Sequence, residues 1–355
     1  MLFFEIIQVS LGTREKMKRV PTAVEWRRIY RTAEKQAVIG TLLSGIDRLS
    51  AEEKPPRDLL IQWIGDGLQI ETKNKALDNA TELITRVFKD GGVRSCVLKG
   101  QGIARLYPQP ERRQAGDIDL WAEGGRVRIL EFLRDNHLGT GKVLMHHVEA
   151  HIVEGADSEI HFIPVYACNP FLHHRLQRFF NKLSDAQYSN YNEDMGFSHP
   201  TLRFNAVYVL AHIYMHFLYE GIGLRQFVGY YYVLSHLSES EREQARIDIK
   251  AVGLNKFAGA VMYVLRKVCR MDSSLAITKV DKKRGTVLLT EIMLGGNFGG
   301  YDKGLRKRKR GNLIGFNMVA FKRQLRFVRY YPMDVLFIPF FKVWHWCWRK
   351  WKGYL

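Results

Sequence analysis

Apolar residues recur at helical spacing at the start of the chain, then in short runs of strand length, then at helical spacing again. Trp26, Ile29, Tyr30, Ala33, Ala37, Leu42 and Ile46 recur at helical spacing, which predicts one helix over 23–49. Pro55 and Pro56 interrupt it. A second helical stretch runs from Asp58 to Lys89 and is closed by Gly91 and Gly92. The pattern then changes. Ser95–Leu98 is short and apolar, a buried strand, with a short helix over Gln101–Leu106 behind it. Asp117–Trp121 reads as the next strand and Gly125–Asn136 as a helix. Lys142–Val153 and Ser158–Val165 read as strands joined by a turn at Gly155, Ala156 and Asp157. From Thr201 onward the helical period returns. Phe204, Val207, Tyr208, Ala211, Ile213, Met215 and Phe217 build a helix up to Gly221. Further helices are expected over Leu224–Leu237, Ser240–Val252, Phe257–Cys269 and Thr286–Leu294, with Ser240 and Glu243 spaced as a capping box.

These elements predict an α+β fold. A small mixed β-sheet core over 91–170 is flanked by an N-terminal helical segment over 1–90, a mostly helical lobe over 171–300 and a C-terminal segment over 301–355. No repeat or low-complexity linker separates them, so one compact body is expected. With 355 residues, 46% of them hydrophobic, the chain can bury a sizeable core. Cys96, Cys168, Cys269 and Cys347 form no C-x-x-C pair, so neither a zinc ribbon nor a disulfide framework is indicated, and a cytoplasmic setting is expected. The apolar start MLFFEIIQVS lacks a basic stretch and carries Glu5, so a signal peptide is not expected. No uninterrupted apolar run is long enough to span a bilayer.

Charge changes the picture at the C-terminus. The chain carries a formal net charge of +18. From Tyr301 to Leu355 there are fourteen Lys and Arg against Asp302 and Asp334, so this segment alone gives 14 − 2 = +12. It also holds Trp344, Trp346, Trp348 and Trp351, four of the seven tryptophans. A basic, Trp-rich stretch over 303–352 suits contact with an anionic membrane, at its inner surface, or with another polyanion. The competing reading is a solvated basic loop over Arg306–Arg310 followed by a helix whose aromatics pack on the body.

Candidate chemistry centres on GDIDL. In a strand Asp117 and Asp119 share one face, with Ile118 turned to the other. Two such carboxylates repel unless a cation sits between them, and Mg²⁺ at phosphate sites is often held by one or two carboxylates. Gly116 allows close backbone approach, and Arg112 and Arg113 just upstream can hold phosphate oxygens. Lys99 and Gly100 lie at a strand end, where a lysine beside a helix N-terminus can meet a triphosphate; no P-loop pattern is present. On the strand SEIHFIPV, Glu159 and His161 share a face; Glu159 is open to two roles, ligand of a second metal or general base, and Asp157 is its rival. His212 and His216, four apart on a helix, face either the core or the active cleft together with Arg225; no third zinc ligand accompanies them. His146, His147 and His151 read as strand residues, alternately exposed, and GGNFGG as a turn.

The run LKG-x-G-x-A-x-LYP-x-P-x-x-R-x-x-GDIDLW, followed by VE-x-H, EIHF, NPFLHHRLQRFF, HIYMH, EGIGLRQF and GGNFG, resembles an uncharacterised bacterial nucleotidyltransferase family of the DNA polymerase β superfamily. The resemblance extends over most of the chain. It implies a mixed sheet of three to five strands with helices behind it, and nucleotidyl transfer from an NTP with Mg²⁺ (or Mn²⁺). It matches Asp117 and Asp119 to the metal-binding pair and Glu159 to the third acid. It sets Lys99 and Gly100 where many relatives carry a triphosphate-gripping Gly-Ser pair, and Arg113 at the arginine before GDID. Two departures stand out. The Gly-Ser pair is absent, and Gly229 stands where relatives carry an aspartate, in LRQFVG.

The expected function is therefore transfer of an NMP from an NTP to a hydroxyl or other acceptor, with His161, His212, His216 and Arg225 toward the substrate. The acceptor (small molecule, sugar, protein or RNA end), the base and the oligomeric state stay open. A nucleotide-binding or regulatory protein with the same fold is the alternative. A nucleic-acid binder, suggested by the net charge, is another.

Overall fold

The structure, a computed structural model, describes residues 1–301 and 313–354, without the side chains of 313–318. The basic run Arg306–Arg310 lies outside the described residues. The chain forms helices α1 (Leu2–Ser10), α2 (Ala23–Gln36), α3 (Ile39–Asp47) and α4 (Arg57–Asp90). Strand β1 (Ser95–Leu98), α5 (Lys99–Ala104), β2 (Ile118–Ala122), α6 (Gly125–Asp135), β3 (Gly139–Val143), β4 (His147–Val153) and β5 (Ala156–His161) follow. Next come α7 (Pro170–Tyr188), the short strands β6 (Tyr191–Asn192) and β7 (Phe197–Ser198), α8 (Leu202–Tyr219), α9 (Leu224–His236) and α10 (Glu239–Val252). The last helices are α11 (Asn255–Val268), α12 (Lys282–Gly295), α13 (Leu313–Leu325) and α14 (Pro332–Trp351).

The expected α+β architecture is present: a five-stranded mixed sheet in the order β1-β2-β5-β4-β3, within a mostly helical body. β2 and β5 pair in parallel, and the other pairs are antiparallel. Period-2 alternation sorts the two sheet faces. Val97, Ile118, Leu120, Val148, Ala150 and Ile160 pack with Ile84 and Phe88 of α4 and Phe132 and Leu133 of α6. Cys96, Leu98 and Trp121 join the larger core built by α1 to α3 and α7 to α12, with Trp121 stacked on Phe204 of α8. That second face also carries Asp119, Glu159, His147 and His161, so the polar groups look toward α8.

Several boundaries differ from the sequence expectation. The helix expected over 23–49 is two. The Thr22–Glu25 capping box starts α2, and Ala37, at φ +54°, ends it without a glycine or proline. Tertiary bonds hold this corner: Gln36 donates to Ile292 O, Ile39 N donates to Gln114, and Trp63 donates to Ile39 O. The strand expected over Lys142–Val153 is likewise two, β3 and β4, closed by Leu144 N to His147 O. The expected Ser158–Val165 strand ends at His161, where Phe162 N turns to His146 O. The capping box of α10 is Ser238 with Glu241, not Ser240 with Glu243. The C-terminal aromatics divide: Phe341 stacks on Tyr166, whereas Trp344, Trp346 and Trp351 are exposed. No described helix is long and apolar enough to cross a membrane.

Candidate functional site

Strands β1, β2, β4 and β5 bring the charged groups together. The β2–β5 register sets Asp119 beside Glu159 and Trp121 beside His161, and the β4–β5 register sets His147 beside His161. Asp117 stands one residue before β2, half-buried, while Ile118 is buried in the opposite core. Lys99 opens α5 immediately after β1, at φ +30°, and Gly100 follows at φ +34°. A lysine in that backbone region stores about 1–3 kcal/mol of strain, a feature that clusters at functional sites.

Asp119 is 2% exposed and takes two charged partners: Lys99 Nζ at 2.8 Å and His161 Nε2 at 2.9 Å, both on Oδ1. Glu159 Oε2 lies 3.4 Å from His161 Nε2 and 3.3 Å from His147 Nδ1. These contacts set the proton affinities. Burial alone would lower His161, but its bonds to Asp119 and Glu159 outweigh that and hold it at about 9. Burial would raise Glu159, yet the His161 bond and the Lys99 charge pull it to about 2. Burial would lower Lys99, and the charges of Asp119, Asp117 and Glu159 carry it instead to about 12. His147 falls to about 4, through burial and then the charge of His161. The cluster thus sets ionised carboxylates against a charged ammonium and imidazolium.

A cleft beside this cluster is lined by Lys99, Gly100, Arg113, Gly116, Asp117, Asp119, Tyr208, His212, Arg225 and Phe298. Nε and Nη1 of Arg113 and Nε of Arg225 are buried without a hydrogen-bond partner among the described residues. Arg225 spends Nη1 on Gln114 O at 3.0 Å. Burial, then the nearby Arg113 charge, lowers it to about 10. A cavity edge with under-satisfied guanidinium donors suits a polyanion. The cleft touches His212 but not His216, which lies 3.3 Å from Glu220 and packs on Phe298. Among the described residues neither belongs to a group of converging ligand atoms.

Among the described residues two groups of three offer ligand atoms within 4.8 Å of one another: Asp119, Glu159 and His161, and His146, His147 and His161. The first is a donor set that a divalent cation fits, since a buried and a half-buried carboxylate there already attract positive charge from Lys99 and His161. Asp117 belongs to neither group. Sequence reasoning singled out Asp119, Glu159 and His161 but left His146 and His147 as ordinary strand residues; only the β4–β5 register reveals them. Tyr208 and Phe298 were also missed as cleft walls. The GGNFGG turn puts Phe298 there at φ +50°. At Gly229 a Cβ would meet Ile103 Cδ1 at 3.1 Å and Tyr107 Oη at 3.3 Å, so α9 packs directly on α5 at this position.

No curated protein and no solved structure matches the chain at a significant level. A family described as "Uncharacterised nucleotidyltransferase" matches residues 22–270. That span includes β1 to β5, α8, α9 and every group of the cluster above, and it covers well over half of the chain: the protein belongs to this uncharacterised nucleotidyltransferase family.

Proposed function

We propose that the protein transfers a nucleotidyl group from an NTP to an acceptor hydroxyl at the cleft between the β2–β5 edge and α8–α9. The observation that carries this is the pairing of Asp119 with Glu159 across parallel strands, beside Arg113 and Arg225 with unpartnered donors. Asp119 and Glu159, with Asp117 at the cleft mouth, are the residues that would hold Mg²⁺ or Mn²⁺. Such a cation, when bound, would neutralise phosphate charge and polarise the reacting phosphoryl oxygens. Arg113, Arg225 and the backbone at Gly100 and Gly116 face the triphosphate. The acceptor hydroxyl oxygen forms a bond to the α-phosphorus as the bond from that phosphorus to the α–β bridging oxygen breaks; pyrophosphate leaves and the hydroxyl proton passes to solvent. Glu159, held at about 2, suits a ligand better than a proton acceptor. The chain's own work is positioning and charge neutralisation.

The test incubates the protein with each labelled NTP and Mg²⁺ or Mn²⁺, measuring nucleotide retention and pyrophosphate release. Binding that drops at least tenfold in Asp119→Asn and Asp117→Asn supports the reading. Unchanged binding and turnover in the double variant overturns it. Tight binding without pyrophosphate, for any acceptor tried, favours the regulatory binding protein instead.

A second reading concerns α14. Its inner side buries Val335 and Ile338, yet Met333, Leu336, Phe340, Val343, Trp344 and Trp351 are also exposed, at helical spacing along the outer side. Exposed Lys350 and Lys352 flank this stripe. An apolar face with tryptophans and cationic ends suits an in-plane helix on an anionic bilayer. Flotation with vesicles of neutral lipid and of neutral plus anionic lipid tests it. Binding that needs anionic lipid and falls in Trp344→Ala with Trp351→Ala supports peripheral attachment. Absence of flotation at low salt overturns it, and salt-sensitive RNA retention by the same surface would favour nucleic acid.

A further inference from the structure

The imidazoles beside the carboxylates have no part in the reaction just described. His146 precedes β4, His147 begins it and His161 ends β5. His147 Nδ1 lies 3.0 Å from His146 Nε2 and 3.3 Å from Glu159 Oε2, and the same Glu159 oxygen lies 3.4 Å from His161 Nε2. The Nδ1 atoms of His146 and His161 are buried with no hydrogen-bond partner among the described residues. Two imidazoles share one carboxylate oxygen and the third packs against both rings, and these buried groups lose hydration that so few contacts do not replace. The spacing has a simple reading. Donors about 2.0–2.1 Å from a tetrahedral zinc ion stand roughly 3.3–3.4 Å apart, close to the separations found here.

We propose that His146, His147, His161 and Glu159 form a binding site for Zn²⁺. A donor set with three nitrogens and one oxygen favours a borderline transition metal over Mg²⁺, which prefers oxygen ligands. Tyr166 packs on His146 with ring centroids 4.7 Å apart, and Phe341 of α14 stacks on Tyr166 at 5.2 Å, so aromatic rings close the site from behind. His161 belongs to both the nitrogen-rich group and the carboxylate group, and Glu159 to the carboxylate group alone, so the two adjoin at His161. The inference does not rest on nucleotidyl transfer, because metal binding is measured with no nucleotide present.

The experiment strips the full-length protein with a chelator and titrates it with Co²⁺ as a spectroscopic stand-in for Zn²⁺. One equivalent is expected to give intense visible d–d bands of a tetrahedral ion, abolished by Zn²⁺ and unaffected by excess Mg²⁺. X-ray absorption on the wild-type protein is expected to show nitrogen-dominated ligation. His146→Ala and His147→Ala, checked for native circular dichroism, should each weaken the metal roughly 10- to 100-fold, as loss of a ligand or its support does elsewhere. Asp117→Asn should keep the full spectrum even where nucleotide binding is lost, which separates this site from the nucleotidyl reading. No stoichiometric binding, oxygen-only ligation in the wild type, or folded histidine variants with wild-type affinity would each overturn the proposal.

Discussion

Lys99→Met keeps the length of the side chain and removes the ammonium that meets Asp119. At 2.8 Å, and with an effective dielectric of about 20, that pair attracts by about 6 kcal/mol before desolvation is subtracted. Asp119 is 2% exposed, and Lys99 is only partly so. Breaking a buried pair by deleting one partner costs about 3–5 kcal/mol, because the remaining charge is stranded. His161 still reaches the same oxygen at 2.9 Å, so the expected loss lies at the low end, about 3 kcal/mol. Urea unfolding without divalent cations measures it. Asp119→Asn leaves a lysine that can turn toward water and should lose less. The double variant should lose less than the sum, the sign of a direct pair. Millimolar Mg²⁺ or Mn²⁺ should stabilise Lys99→Met more than the wild type, since a cation can replace the missing charge. Saturation at about 100 times Kd corresponds to about 2.7 kcal/mol. A Lys99→Met protein within about 0.5 kcal/mol of the wild type, a difference ordinary surface changes produce, would refute this account of the cluster.

Three further outcomes test other parts of the structure. Ala37→Gly should raise stability by about 0.5–1 kcal/mol, read from the thermal midpoint, because glycine adopts the φ of +54° at that corner without a Cβ clash. Gly229→Asp should lower stability by more than about 2 kcal/mol, since its Cβ meets Ile103 and Tyr107 and its carboxylate enters a buried position; chemical denaturation decides. Asp334 tests the pH response. Burial raises its pKa despite bonds from Tyr214 and Asn169. A raised folded pKa means its contribution is present at low pH and lost as pH climbs through that value. The stability of Asp334→Asn relative to the wild type should therefore improve between about pH 4 and pH 7. A gap that does not change with pH would contradict the burial effect.

Local pattern carried much of this fold into the sequence, and the failures have a common cause. The long helix α4, the strands β1 and β2, the helices from α8 to α12 and the shared face of Glu159 and His161 all follow from period and punctuation within a single segment. The corner at Ala37 does not, because its partners Ile292, Gln114 and Trp63 are distant in sequence. The split of β3 from β4 and the arrival of His147 at Glu159 depend on strand register, which single-segment periodicity leaves open. Helix α7 was within reach, since Asn169 followed by Pro170 is a capping signal for a helix start. Helix α1 was not, because its 9 residues are too short a run to display a helical period.

The same distinction reassigns Lys99. By position in the chain it looked like a phosphate contact, equivalent to the missing Gly-Ser grip. In the folded protein its ammonium is already committed to Asp119, and its high proton affinity follows from the three acids around it. A triphosphate entering the cleft would have to compete with Asp119 for that charge. Arg113 and Arg225 are placed differently. Their side chains line the cleft with buried nitrogens that have no partner, and neither forms an ion pair among the described residues. In the proposed reaction the labour therefore divides by electrostatics: Lys99 keeps the acidic cluster intact before any cation binds, and the two arginines carry the attraction for phosphate. Arg113→Lys should then weaken nucleotide binding by reducing the planar set of donors, whereas Lys99→Met should show its main effect on stability and on the response to divalent cations. The reverse pattern would return Lys99 to the role its place in the sequence first suggested.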